Sequence, residues 1–396
     1  MATQAQSTTY TARWYNRAGI WIGIGINPAS ITLGGNLATK LETPALMWVV
    51  PLGAFCLWSV AVLAGTIGRR QRLRFVEWST ATFGIGVGAI LMNLAMALGM
   101  IGWAGFQMGL GGTSFANLLG INQSTWIGVV GMGVLVLVLG NLEVNKWNWF
   151  VWLTTMSSLA MAVIAAVIAL NVTGTSVPLE PRITTAGSIF AVITGIISFA
   201  SLFSLRSTDF TWDLVSDRDV ITDATLFITV FLISIVIGVM LFQATGSADL
   251  AFVLSGTPLA LLGKAFLFIS LLSPALSTMF SGSHAWMGIV NFKYWQATLL
   301  LVGAGTLLGV IRFDQALIGF LDWLGAIMPP AMAIMIVYGF ARRKLSTQVA
   351  LIGWVIGAAV AVAIKLSGGG FHLAAGAIVG LIVIGVGNLF GESSEA

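Results

Sequence analysis

The stretch IWIGIGINPASITLGGN, residues 20–36, reads as a membrane-crossing helix interrupted at its middle. An Asn27-Pro28 pair sits at its centre, with glycines on both sides and Ser30 just after it. Proline removes a backbone donor and clashes with the preceding turn. At membrane depth, carbonyls freed in this way are tolerated only where they are buried or line a cavity, where they can bind a cation or a substrate. A simple proline kink is the other reading of the same residues.

The rest of the chain makes the membrane setting necessary. Of 396 residues, 58% are hydrophobic and 8% are charged, with a mean hydropathy of +0.97. A soluble domain carries about 25% charged residues, so this composition cannot cover a water-facing surface. It excludes a soluble enzyme, a nucleic-acid binder and a disordered chain. An outer-membrane barrel would show short alternating segments of about ten residues. A helical, multi-pass membrane protein remains. The net charge of +4 is a topology signal, not the mark of a nucleic-acid partner. Cys56 is the only cysteine, and the two histidines, His284 and His372, form no cluster, so no metal centre or cofactor is expected.

A crossing needs about 20 apolar residues. Twelve such runs are expected, near 18–38, 46–67, 83–110, 126–141, 147–170, 186–205, 224–245, 259–282, 295–311, 317–340, 348–366 and 371–390. With the amino terminus inside, one set of loops holds Arg13, Arg17, Arg69, Arg70, Arg72, Arg74, Lys146, Arg206, Arg218, Lys293, Arg342, Arg343 and Lys344. The other set holds Lys40, Arg182, Arg312 and Lys365, and Lys264 starts a span. This segregation predicts both termini in the cytoplasm of a cell-membrane protein. Trp48, Trp126, Trp147, Trp149, Trp295 and Trp354 fall near span ends, as an interfacial belt would place them.

Polar groups inside the spans are expensive and mark candidate sites. Trp103 and Gln107 in the third span are four residues apart and share a helix face. An indole beside a carboxamide suits a planar heterocycle, which can stack on the ring and both accept from and donate to the amide. The sixth span ends in alternating hydroxyls and aromatics, Ser198, Phe199, Ser201, Phe203 and Ser204, before a loop carrying Asp209, Asp213, Asp217, Asp219 and Asp223 beside Arg206 and Arg218. Solvated loop charges and inner-gate ion pairs are the two readings of that loop. In the eighth span, Ser277, Thr278 and the carbonyl at Pro274 offer three oxygens on one face, a setting for a small monovalent cation. Serines bonded back to their own helix are the plainer account. The tenth span carries Asp322 near its outer end and then Pro329-Pro330, which is expected to break or kink it. No carboxylate falls at the centre of a predicted span, which favours a metal cation over a proton relay. Lys264 is too far from Ser277 to stand in for a cation and is expected to snorkel to the interface.

These residues resemble the first nucleobase–cation symporter family, the cytosine, purine, uracil, allantoin and hydantoin permeases. GWAGFQMGLGG at 102–112 is similar to the family's GWFGIQTWIGG, Asp209-Phe210-Thr211 to its DFTRY, and Ile327-Met328-Pro329-Pro330 to its LPP. Trp14-Tyr15-Asn16 precedes the broken first span, where the family proline matches Pro28. The resemblance implies the leucine-transporter fold: a first repeat over 18–170, an inverted second repeat over 186–340, two further helices over 348–390, and short tails at 1–17 and 391–396. It implies that Trp103 stacks on the substrate and Gln107 hydrogen-bonds it. It implies cation-binding carbonyls near Ile24 and Asn27 and cation-binding hydroxyls at Ser277 and Thr278. The family's second stacking Trp aligns with Ala200, so Phe199 or Phe203 would take its role. A family Asn aligns near Ser283, and the family's Asp-Tyr after the tenth span is replaced by Tyr338-Gly339.

The expected protein is thus a monomeric permease that imports a nucleobase or related heterocycle by alternating access, with sodium as coupling ion. Its substrate residues are Trp103, Gln107, Asn27, Ser30, Phe199, Ser201, Phe203 and Ser283. Ile24, Asn27, Pro274, Ser277 and Thr278 would hold the cation, and Pro329, Pro330 and Asp322 would gate. A proton-coupled or uncoupled facilitator is the alternative. A membrane enzyme has no support, since no carboxylate pair, His cluster or Ser–His arrangement is present in a compatible topology.

Overall fold

The structure, a computed structural model, describes residues 12–142, 148–172, 184–255, 260–341 and 346–391. Lys146, Trp147, Arg182, Arg342, Arg343 and Lys344, which entered the topology argument, lie outside the described residues, as does residue 1–11 of the amino-terminal tail.

The chain begins with α1 (Trp14–Gly25) and α2 (Pro28–Ala38), separated only by Ile26 and Asn27, so the first span is broken where the Asn-Pro pair predicted. Next come α3 (Thr43–Gln71), α4 (Phe75–Phe83), α5 (Val87–Leu118), α6 (Thr125–Gly140) and α7 (Asn148–Val172). A second series follows: α8 (Ala186–Leu205), the single turn α9 (Thr208–Thr211), α10 (Asp217–Thr245), α11 (Leu250–Ser255), α12 (Ala260–Met287), α13 (Tyr294–Val310) and α14 (Leu317–Phe340). The chain closes with α15 (Thr347–Leu366) and α16 (His372–Gly391). Among the described residues, eight helices are by length and composition apolar enough to cross a membrane, and α6, α13 and α16 are shorter apolar helices.

Packing follows a five-plus-five symmetry. The second span, α3, lies against the sixth, α8, and the seventh, α10, lies against both halves of the first. The third and fourth spans, α5 and α6, pair as the eighth and ninth, α12 and α13, do, while α5 and α12 pack on each other at the centre. Moving each contact by five spans maps it onto its counterpart. Burial agrees. In the apolar window of α8, 67% of residues are buried, against 28% for α15, so α8 is internal and α15 lies at the rim. Exposed apolar side chains such as Met47, Leu261 and Leu307 form the lipid-facing surface.

One expectation is corrected and a second, that the double proline breaks or kinks its helix, is narrowed. The third span runs over Val87–Leu118, not 83–110, and a separate helix, α4, precedes it. Gly84 and Gly86 at φ +83° and +104° form the turn between them, a region that favours glycine. Pro329 and Pro330 do not break the tenth span: α14 continues from Leu317 to Phe340. Pro330 instead lies where a Cβ added at Gly357 of α15 or Gly376 of α16 would meet it at 3.0 and 3.1 Å. Two prolines remove two donors, and the bare backbone of those glycines lets α15 and α16 pack closely against α14 at that point.

Arg13, Arg17, Arg69, Arg70, Arg72 and Arg74 gather at one face, where the 209–219 segment meets them. Arg17 pairs with Asp213. Arg69 Nε and Arg70 Nη2 lie 2.5 and 2.7 Å from the Asp217 carboxylate. Arg72 donates to the carbonyls of Trp212 and Leu214 at 2.7 and 3.1 Å. The Asp209 carboxylate accepts the Phe75 N–H at 2.9 Å, and burial pushes its carboxyl above the usual carboxylate range. Of the five acidic residues, Asp213 and Asp217 are thus held in ion pairs by Arg17, Arg69 and Arg70, and Asp219 lies 3.8 Å from Arg13; Asp217, Asp219 and Asp223 belong to the first turns of α10 and not to a loop.

Candidate functional site

The break in the first span is held open by its own residue. Asn27 Oδ1 accepts the Ala29 and Ser30 N–H groups at 2.8 and 3.2 Å, capping α2 with Pro28 at its first position. Its Nδ2 donates to the Ile24 carbonyl at the end of α1. The side chain predicted to touch substrate thus spends its polar atoms on the two helix ends. Asn27→Ala should cost about 1–2 kcal/mol, read as a lower thermal midpoint in detergent. Recovery of part of the loss is expected in Asn27→Ser, which keeps an acceptor.

Beside this break lies a cavity of about 30 Å³, lined by Ile24, Asn27, Trp103, Gln107, Phe199, Phe203, Arg206, Pro274 and Thr278, together with Ala29, Met100, Phe106, Ala200 and Leu271. It has room for about two water molecules and none for a heterocyclic ring. Eight of the residues singled out in the sequence converge here, from α1, the break, α5, α8 and α12.

The walls are aromatic. The Trp103 indole meets Phe199, Phe320 and Phe106 edge to face, with centroids 5.0, 5.9 and 6.0 Å apart. Phe203 meets Trp21 at 5.0 Å in the same way. Gln107 supplies the polar point: its Nε2 donates to Thr278 Oγ1 at 3.2 Å, while its Oε1 is buried with no partner. A buried acceptor without a donor costs about 1–3 kcal/mol, and an N–H entering the cavity would relieve it.

The other predicted residues lie elsewhere. Ser277 does not line this cavity. It lines a second one of about 310 Å³ at the arginine-rich face, with Arg17, Arg74, Asp209, Phe210, Asp213, Ser273 and Phe280 among its walls. Ser201 donates back to the Ser198 carbonyl at 3.0 Å. Ser30 and Ser283 are fully buried outside the cavity lining, with unpartnered hydroxyls. Asp322 binds Lys365 of α15 at 2.9 Å, and Pro329 and Pro330 are buried away from the lining.

Sequence reading missed Arg206. Placed among the charged loop residues, it is in fact 4% exposed and reaches α12. Its Nη1 donates to the Ser277 carbonyl at 2.6 Å and its Nη2 to Ser277 Oγ at 3.1 Å. The signal was its place at the end of α8, directly after an apolar run. Met100, one turn before Trp103 on the same face of α5, was missed too.

No family model matches the chain. A curated relative, a 4-hydroxybenzoate octaprenyltransferase from Azoarcus sp. (strain BH72), is 33% identical over 118 residues, 29% of this chain. The chain spans 40% of that relative's length. The whole architecture, by contrast, is that of known transporters. Mhp1, a nucleobase-cation-symport-1 family transporter solved in a closed conformation with bromovinylhydantoin bound, superposes with a TM-score of 0.78 at 16% identity, over 97% of this chain and 94% of that one. A Na+-coupled sialic acid symporter in a substrate-bound outward-open state gives 0.69 at 11% identity, over 96% and 91%. MhsT in complex with L-phenylalanine gives 0.57 at 15%, over 96% and 98%. The chain therefore has the leucine-transporter fold, an all-helical membrane architecture of two inverted repeats with α15 and α16 outside them.

Proposed function

We propose that this chain is a secondary active transporter of the nucleobase-cation-symport-1 type, which imports a small planar nitrogen heterocycle together with sodium. The observation that carries this reading is the unpartnered Gln107 Oε1 beside the Trp103 indole, in a cavity at the break of the first span. A ring N–H of the substrate would donate to that oxygen while the ring lies against the indole. The arginine-rich face would be cytoplasmic, so the 310 Å³ cavity would be the exit vestibule. Sodium would use the carbonyl and hydroxyl oxygens of Ile24, Asn27, Pro274, Ser277 and Thr278. Each ligand would drive transport only through a difference in its affinity for the outward and inward forms.

The support is convergent. The fold is shared with Mhp1, whose bound ligand is a hydantoin, and the aromatic walls with a single amide suit a flat ring with few polar groups. Purified protein in proteoliposomes tests the reading. A panel of nucleobases and hydantoins should yield at least one that shows saturable uptake, counterflow and stimulation by an inward sodium gradient. Uptake that never saturates and shows no counterflow would instead mark a channel.

A further inference from the structure

We propose that Arg206 competes with the coupling cation for the oxygens of Ser277, so that the guanidinium replaces the cation as the protein closes toward the arginine-rich face. The idea rests on the transport reading above and names a device within the same site.

The geometry is that of a cation site with a side chain in it. A carbonyl and a hydroxyl of one residue converge on the guanidinium, at 2.6 and 3.1 Å. Met100 Sδ lies 3.5 Å from Nη1, and the rings of Phe203 and Phe210 lie 5.2 and 5.7 Å from the guanidinium carbon. None of the ion pairs among the described residues involves Arg206. A permanently charged group is therefore held directly by neutral oxygens and aromatic faces, with the buried Asp209 carboxylate acting on it from beyond ion-pair distance, a setting that would otherwise receive a metal cation. Oxygen ligands of this kind hold a small hard ion equally well.

The remaining oxygens are engaged too. Thr278 Oγ1 accepts from Gln107, the Ile24 carbonyl accepts from Asn27, and the Pro274 carbonyl accepts from Ser277 Oγ at 3.0 Å. Two like charges cannot share the Ser277 pair at contact distance, so sodium binds there only once the guanidinium has left. Arg206 sits between α8 and α9, where the helix is interrupted, so its side chain can swing without unwinding a helix. It lines the central cavity while Ser277 lines the vestibule. Their contact is thus part of the partition between the two. When Arg206 returns to Ser277, it both expels the cation and seals the route behind it.

Sodium titration of the purified protein tests this directly, with choline chloride holding ionic strength constant and tryptophan fluorescence as readout. Arg206→Gln should lower the half-saturating sodium concentration at least tenfold relative to wild type. Arg206→Lys should lower it by about threefold, because an ammonium lacks the planar fork whose two nitrogens reach the carbonyl and the hydroxyl separately. Adding Ser277→Ala to Arg206→Gln should erase the gain. Equal sodium responses in wild type and both variants, no response in any of them, or a gain that survives Ser277→Ala would each overturn the proposal. If Arg206→Gln does not yield folded protein, an unchanged value in Arg206→Lys decides against it. Heterocycle uptake by the wild type, measured separately, tests the transport reading, so the two can fail independently.

Discussion

Replacing Gln107 with leucine should weaken substrate binding ten- to a hundredfold while leaving the thermal midpoint unchanged or raised. The two effects have one cause. In the structure Gln107 Oε1 is a buried acceptor with no donor, and leucine removes that cost at similar volume. The substrate's N–H, once it enters, then has no acceptor in a water-poor cavity. The penalty for a buried unpaired donor is about 1–3 kcal/mol, which corresponds to roughly ten- to a hundredfold in affinity. The bond from Nε2 to Thr278 Oγ1 is lost as well and offsets part of the stability gain. A merely structural Gln107 would give the opposite pattern, with lower stability and unchanged affinity. Trp103→Ala is the companion variant, and it should abolish saturable uptake. Because Trp103 is 9% exposed and packs on three aromatic rings, its truncation also leaves a cavity costing about 3–5 kcal/mol. Membrane expression must therefore be checked beside uptake, and wild-type transport in both variants would refute the site.

Gly238→Ala should be among the most damaging substitutions of its size in the protein. A Cβ at Gly238 of α10 would stand 2.0 Å from the Ile31 carbonyl oxygen of α2. A Cβ at Gly34 on the facing helix would stand 2.2 Å from the Ile235 carbonyl oxygen. The helices touch backbone to backbone, so no rotamer change can relieve the clash, and α2 must move outward. Overpacking of a well-packed core costs about 1–3 kcal/mol, and more where backbone has to shift. The expected loss is above about 3 kcal/mol, seen as a collapse in monodisperse protein on size exclusion. Gly303→Ala on α13 is the matched control, since nothing lies within 4 Å of its Cβ position. There alanine should be neutral or stabilising by about 1 kcal/mol through helix propensity. Equal behaviour of the two variants would show that the close approach of α2 and α10 does not matter.

Much of the candidate site was legible because its signals are local. The Asn27-Pro28 pair carries its own N-cap and first helical residue, and the structure separates α1 from α2 at that point. Trp103 and Gln107 share a face by spacing alone, and both line the cavity. The hydroxyls were harder. Ser30, Ser201, Ser277, Thr278 and Ser283 look alike in an apolar run, yet only Thr278 lines the central cavity. Which of them turns inward depends on how each helix is rotated against its neighbours, and no periodicity carries that. Arg206 failed for a related reason. A long side chain at a helix end can snorkel outward or swing inward, and adjacent loop charges favoured the first reading. Only the position of α12, with two Ser277 oxygens in reach, decides for the second.

The amino-acid sequence by itself determined that this chain lives in a bilayer, where its first span breaks, and which indole and amide share a face. Those follow from apolar content, from a missing backbone donor, and from the 3.6-residue turn. The tertiary structure alone decided which oxygens are already satisfied, how little space the closed cavity leaves, and where the buried guanidinium goes. Those depend on contacts between residues far apart in the chain, and a contact exists only once helices have packed.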